Sequence, residues 1–206
     1  RLTVEVDTPD GVKTGSSVIE VDTEVAGGYS IPTPGRVTNR VRGEAVTVDL
    51  GEGRVLFALL RSEADIDWAG RVMYRLSPQY AGENALRDGY RNMLRHRPER
   101  TVPRHFSRAD QVNKRSAYPM LVTFGDLDDP ASVERVDPDD LAATFGEGVR
   151  LKRITVQITD DPVTSGIGQR LGWLGNIREM NLSNEDFPED FPVGDFSGLF
   201  QKDTMR

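Results

Sequence analysis

The sequence predicts a strand-rich α+β protein, an antiparallel sheet or sandwich that carries a helical insertion around residues 64–97. Three observations support this prediction. Apolar and polar side chains alternate over much of residues 2–61, apolar side chains recur at helical spacing within residues 64–97, and alternation returns at residues 151–159. With 206 residues, of which 37% are hydrophobic, the chain is long enough to bury one ordinary core.

The clearest element is a hairpin over residues 46–61. Its turn, Gly51-Glu52-Gly53, is short enough to join two antiparallel strands. Two sets of side chains are expected to face the same core across this turn: Val46, Val48 and Leu50, and Val55, Phe57 and Leu59. The hairpin therefore predicts which side chains form the centre of the sheet.

The remaining elements follow the same two periods. Strands are predicted at residues 2–6, 16–24, 37–49, 118–124 and 151–159, a loop at 27–35, and helices at 65–76 and 83–96. Asp129 and Asp137 each precede a proline, which is the pattern of a helix start, and the second of these helices is predicted to run through Leu141. We expect residues 151–159 to pair with the N-terminal sheet.

The chain divides into a single β-rich domain, residues 1–175, and an acidic tail, residues 176–206. Four phenylalanines punctuate the acidic residues of the tail, which also has prolines at 188 and 192: Phe187, Phe191, Phe196 and Phe200. Prolines and low periodicity disfavour a regular element there, so we expect the tail to pack along the surface or to contact a partner. Trp173, just before the tail, is predicted to be a packing anchor.

Composition disfavours several functional classes. A net charge of −7 disfavours nucleic acid as a partner, and zero cysteines leave no disulfide or thiolate metal site. The longest apolar run, residues 55–60, is far shorter than the roughly 20 residues of a membrane-spanning helix. No transmembrane segment is predicted.

No metal or cofactor site is predicted either. His96 and His105 both have arginines close by in the sequence, which disfavours a divalent ion. Asp126-Leu127-Asp128-Asp129 resembles the start of a calcium loop, but the glycine needed at its sixth position is Ala131. Turn and cap chemistry explains these aspartates more simply.

Basic residues concentrate in one segment of this acidic chain. Residues 87–115 hold nine basic residues against three acidic ones. The candidate site for an acidic partner or an anion comprises Arg87, Arg91, Arg95, Arg97, Arg100 and Arg104. The first three lie four residues apart and so form one stripe on a helix. The alternative is a solvated stripe whose arginines meet the chain's own carboxylates, with the acidic tail as an internal partner.

Several stretches taken together resemble a group of uncharacterised bacterial proteins. They are residues 13–21, 42–50, 129–133 and 151–167, the last ending in Thr159-Asp160-Asp161-Pro162-Val163-Thr164-Ser165-Gly166-Ile167. Many of those proteins carry an export or lipoprotein-type signal just before the first strand. The resemblance extends to Trp173 and implies a periplasmic or cell-envelope location, with a removed signal and a lipid anchor upstream of Arg1. It implies no activity.

These observations predict a non-enzymatic protein-binding module of the cell envelope, of inhibitor or immunity type. The acidic surface would speed its encounter with a cationic target. Two alternatives stay open. One is a hydrolase that uses carboxylates with His96 or His105, and the other binds phosphate or nucleic acid through the arginine stripe. The oligomeric state and a cytoplasmic location also stay open.

Overall fold

The computed structural model describes residues 1–26, 36–78, 80–82, 84–180, 182–188, 191–192 and 196–202. It confirms the predicted α+β fold, with three antiparallel sheets and helices inserted after the sixth strand. The loop predicted at 27–35 lies outside the described residues.

The strands run, in chain order, β1 Leu2–Thr8, β2 Gly11–Ser17, β3 Glu20–Val25, β4 Val37–Glu44, β5 Val46–Gly51, β6 Arg54–Ala58, β7 Arg100–Thr101, β8 Leu121–Phe124, β9 Val133–Arg135, β10 Arg150–Val156 and β11 Gln201–Lys202. The α-helices are α1 Trp68–Leu76, α2 Ala85–Met93, α3 Arg108–Val112, α4 Leu141–Phe145, α5 Ile167–Arg170 and α6 Phe196–Phe200. Short 3-10 helices lie at Pro130–Ser132, Gly172–Gly175, Ile177–Glu179 and Asn184–Asp186.

The strands form three sheets, in the orders β2-β1-β10-β7, β11-β4-β3 and β5-β6-β8-β9. The predicted pairing of the last long strand with the N-terminal sheet is confirmed, since Val4 lies opposite Ile154. Gly15 of β2 lies so close to β5 that a Cβ there would be 2.1 Å from the carbonyl oxygen of Thr47. Only glycine fits this crossing between two sheets.

The sheet β5-β6-β8-β9 is buried on both faces. One face packs with β1 and β10 into a first core, whose members from this sheet include Val46, Val48, Leu50, Leu56, Ala58 and Leu121. The opposite face forms a second core, to which it contributes Val55, Phe57, Val122 and Phe124, and Leu59, directly after β6, joins the same core. A strand that is buried on both sides has continuous apolar sequence rather than alternation.

Two sequence predictions are wrong. The first fails because β6 is apolar on both of its faces. Val55, Phe57 and Leu59 do not share the core of Val46, because Val46 pairs with Ala58 and the even-numbered residues of β6 therefore share its face. The single strand predicted at 16–24 is two strands. It breaks at Val18, whose backbone N–H and carbonyl oxygen bond the hydroxyl and the N–H of Thr164 instead of continuing a ladder.

The C-terminal segment covers the second core. Phe200 is fully buried, and its ring lies 5.6 Å from that of Phe124 and 5.8 Å from that of Trp173. Trp173 is the packing anchor that the sequence predicts, and its indole N–H donates to the Leu127 carbonyl. Beyond Phe200, β11 pairs with β4. The tail thus contains a short helix and a strand, although the prolines had disfavoured regular elements.

Replacing Phe200 with alanine should lower the free energy of unfolding by about 3–5 kcal/mol, because the change leaves a cavity between two aromatic rings. Chemical denaturation would measure the loss. Glu185→Ala, an exposed change in the same segment, is the matched control and should stay within about 0.5 kcal/mol of the parent. An equally small effect at Phe200 would mean that the tail does not form part of the core.

Candidate functional site

The described residues form an open cleft of about 960 Å³. One wall is β3, a second is formed by α1 and α2, and a third is the extended chain from Val156 to Val163. Binding sites for small molecules usually have volumes of about 300–1,000 Å³. The cleft is therefore large enough to hold a segment of another molecule.

The floor of the cleft is apolar. Leu2, Trp68, Val72 and Val156 line it, and each belongs to the first core. The Trp68 indole N–H donates to the Ala117 carbonyl, so this ring presents only apolar atoms to the cleft without an unsatisfied donor. A ligand on this floor would gain hydrophobic burial.

Helix α2 is held in place by Tyr90. Its ring stacks on that of Tyr74 at 4.3 Å between centroids, and its hydroxyl hydrogen-bonds the Asn39 side chain of β4. Burial raises the pKa of Tyr90 above its ordinary value. Gly89 allows the close approach, because a Cβ there would lie 2.9 Å from the Tyr74 ring. These contacts fix the orientation of the arginines on α2.

Arg87 and Arg91 line the cleft on one side of α2. Neither has an ion pair with any acid in the part of the chain that the structure describes. Arg95 is exposed, lies beyond the end of α2 and does not line the cleft. The predicted stripe is therefore split. The acids that line the cleft are each paired with another arginine: Glu20, Asp22, Asp160 and Asp161. Two members of the stripe therefore add a local positive charge.

Arg97 also lines the cleft, but it is already engaged. Its guanidinium contacts both carboxylate oxygens of Asp160, one of them at 3.1 Å. The hydrogen bond from Arg97, and then its charge, lower the pKa of Asp160. Arg1 forms a similar pair with Asp161 at 2.6 Å. These two pairs hold the third wall of the cleft.

Arg100 and Arg104 lie outside the cleft and have internal partners. Arg100 donates to the Leu76 carbonyl at the end of α1. Arg104 forms a bidentate pair with Asp139, at 2.8 and 3.0 Å, and lies over the Tyr118 ring. Hydrogen bonds from Arg104 lower the pKa of Asp139. Each of these arginines also has one buried nitrogen without a hydrogen-bond partner among the residues that the structure describes, Nε in Arg100 and Nη1 in Arg104.

The four phenylalanines predicted as a tail contact are all buried in the second core. They pack on one another and on Trp173, with Phe196 4.8 Å from Phe187 between ring centroids. None of the four lines the cleft. The described part of the tail thus covers a sheet face, and its phenylalanines do not dock on the arginines of α2.

The two histidines that the hydrolase alternative would use, His96 and His105, lie outside the cleft. Nδ1 of His105 lies 2.8 Å from the Arg115 carbonyl oxygen rather than from an acid. Among the described residues, no group of three side chains could hold a metal ion. Asp126 and Asp129 accept hydrogen bonds from backbone N–H groups of their own turn.

Sequence reasoning missed two walls of the cleft, β3 and residues 156–163. Acidic residues at every second position of β3, Glu20, Asp22 and Glu24, were an available signal, because charged side chains are common on edge strands. The third wall had no such signal. Its acids, Asp160 and Asp161, hold this wall through ion pairs with Arg97 and Arg1, which are remote from them in sequence.

Fold and cleft together define an α+β protein with a two-sided central sheet and an amphipathic cleft beside it. No family model matches the chain, and neither the curated proteins nor the solved structures contain a match. The resemblance to bacterial envelope proteins therefore stays a prediction. Over the described residues, the helices are all too short or too polar to cross a membrane.

Replacing Arg97 with glutamine should raise the pKa of Asp160 towards its ordinary value of about 3.9, since the hydrogen bond and the charge that lower it are removed. Because the pKa of Asp160 is lower in the folded than in the unfolded state, its ion pair stabilises the folded state at pH values above the unfolded pKa. This contribution is lost as the pH falls through the folded pKa. NMR titration of the Asp160 carboxyl would measure the shift. Arg95→Gln, which removes an equal charge nearby, should leave Asp160 almost unchanged.

Proposed function

We propose that this protein is a non-enzymatic binding module that holds an acidic, partly apolar segment of another protein in the cleft. The observation that carries the proposal is the pair Arg87 and Arg91, which have no acidic partner among the described residues and stand above an apolar floor. Arginine recognises carboxylates through paired N–H groups, and the floor supplies the hydrophobic part of the affinity.

Charge favours a short acidic segment over a long polyanion. The chain has a net charge of −7, so an extended nucleic acid would meet repulsion over most of the surface. A segment that reaches only the cleft would meet the local positive charge of Arg87 and Arg91. This supports a protein partner over the phosphate and nucleic-acid alternative.

The proposal places the module in the cell envelope or periplasm, with attachment through a lipid. Support comes from the resemblance of residues 13–21 and 151–167 to bacterial proteins with export or lipoprotein-type signals. An inhibitor or an immunity protein would be one form of such a module. Fractionation of the producing cells tests the location, because recovery in the cytoplasm alone would contradict it.

Reversing the charges of Arg87 and Arg91 should abolish most of the binding of acidic peptides. Peptides selected from a displayed random library on the purified chain should be enriched in Asp and Glu next to apolar residues. Arg87→Glu with Arg91→Glu should weaken these peptides by roughly tenfold for each arginine, because a charge-assisted hydrogen bond contributes about 1.5 kcal/mol or more. Fluorescence anisotropy would measure the affinities.

Arg95→Glu is the matched control, since it makes the same change outside the cleft and should leave affinity nearly unchanged. Circular dichroism would check that all three variants fold. Equal loss in the control would show that the peptides respond to net charge alone, and a library that yields no binder would refute the proposed function.

A further inference from the structure

Strand β3 has an open edge. It is the terminal strand of the sheet β11-β4-β3, with β4 on one side and no strand on the other among the described residues. Edge strands present a row of backbone donors and acceptors that an incoming chain can use. The edge therefore marks a second feature of the cleft, separate from the two arginines.

The register identifies which backbone groups point outwards. Val25 lies opposite Val37, and the Ala26 N–H donates to the Arg36 carbonyl at 2.9 Å. Hydrogen-bonded and non-hydrogen-bonded pairs alternate in an antiparallel ladder. Ala26 belongs to a hydrogen-bonded pair, so the backbone groups of every second residue before it also bond to β4: Glu20, Asp22 and Glu24. The N–H and carbonyl groups of Val21, Thr23 and Val25 consequently face away from it.

These outward groups face a space large enough for another chain. Val21, Thr23 and Val25 all line the cleft, and their outward backbone groups bond to no described residue. Their side chains lie on the hairpin face that holds Asn39, which contacts α1 and α2. The free edge and the positively charged wall therefore open into the same cleft.

We propose that the bound segment adds to β3 as an extra strand. This inference rests on the proposed function and specifies its geometry. Main-chain hydrogen bonds to Val21, Thr23 and Val25 would supply affinity independent of sequence, as in other cases of strand addition. Side chains of the segment would point alternately towards the helices and away from them.

The two arginines determine the spacing of acidic residues in the segment. Arg87 and Arg91 are one helical turn apart, which separates their Cβ atoms by about 6 Å. Side chains at positions i and i+2 of a strand are about 7 Å apart and on the same face. Two carboxylates at i and i+2 therefore match the pair, with apolar residues beside them on that face.

The occupant is another protein's segment rather than a second copy of β3. Every charged residue of β3 is acidic, so pairing two copies edge to edge would bring six carboxylates together. All three have arginine partners on β4, Arg40 or Arg42, but those arginines lie across the hairpin from the open edge. An incoming strand with neutral residues on that face avoids this repulsion.

The test uses a labelled synthetic peptide of about seven residues, Val-Thr-Glu-Thr-Glu-Thr-Val, which is roughly the length of β3. Its two glutamates share one face, and a control peptide of the same composition has them adjacent and on opposite faces. The first should bind by fluorescence anisotropy about tenfold more tightly than the control, with dependence on Arg87 and Arg91 but not on Arg95.

Amide hydrogen exchange then tests the backbone contacts. On peptide binding, the N–H groups of Val21, Thr23 and Val25 should gain protection, whereas those of Glu20, Asp22 and Glu24 are already protected by β4. Methylation of a single backbone nitrogen in the peptide should weaken binding only when the methylated residue is one of those, at every second position, whose N–H faces β3.

The outcomes separate this inference from the proposed function. If selected peptides bind through Arg87 and Arg91 while Val21, Thr23 and Val25 gain no protection, strand addition is wrong and the binding module stands. Failure of the designed peptide where selected peptides succeed would also overturn strand addition. If protection of β3 rises with protein concentration and without peptide, a second copy occupies the edge. If no peptide binds at all, the proposed function itself fails.

Discussion

The central sheet, β5-β6-β8-β9, imposes the main constraint on this structure because both of its faces are apolar. One face packs on β1 and β10, so the other needs a second cover. Burial of one phenylalanine contributes about 1.5–3 kcal/mol, and a whole domain is stable by only about 5–15 kcal/mol. The four tail phenylalanines, together with Trp173, therefore supply burial on the scale of the total stability. The described residues from Ile167 to Phe200 therefore contribute to the same packed structure as the central sheet.

The buried carboxylate of Glu44 connects this cover to the β3–β4 hairpin. One of its oxygens accepts the N–H groups of Gly166 and Ile167, at 3.0 and 2.9 Å, where α5 begins. The backbone carbonyl oxygen of Glu44 accepts a hydrogen bond from the Ser17 hydroxyl. Strand β11 pairs with the same end of β4. The C-terminal segment thus occupies one edge of β4. The opposite side of the hairpin, β3, has an edge on which no described strand pairs.

Periodicity predicted the kinds of element and their approximate positions, because alternation and helical spacing are local properties of the chain. It could not assign faces within β6, where Val55 to Ala58 are apolar at every position and alternation carries no information. It also joined β2 to β3. The break at Val18 depends on Thr164, which lies 146 residues away in sequence. The tail posed the same difficulty, since its prolines obscured a short helix whose stability comes from aromatic packing.

The candidate site shows the same division between local and non-local information. Helical spacing placed Arg87 and Arg91 on one stripe, but Arg97 and Arg104 look equivalent in sequence and differ only through Asp160 and Asp139. Exposed arginines and open strand edges are each common on protein surfaces, and neither alone indicates a binding site. In this protein, two arginines and one strand edge that have no partner among the described residues line one cleft, above an apolar floor. A ligand that satisfies all three needs carboxylates, an extended backbone and apolar side chains, and an extended acidic protein segment has this combination.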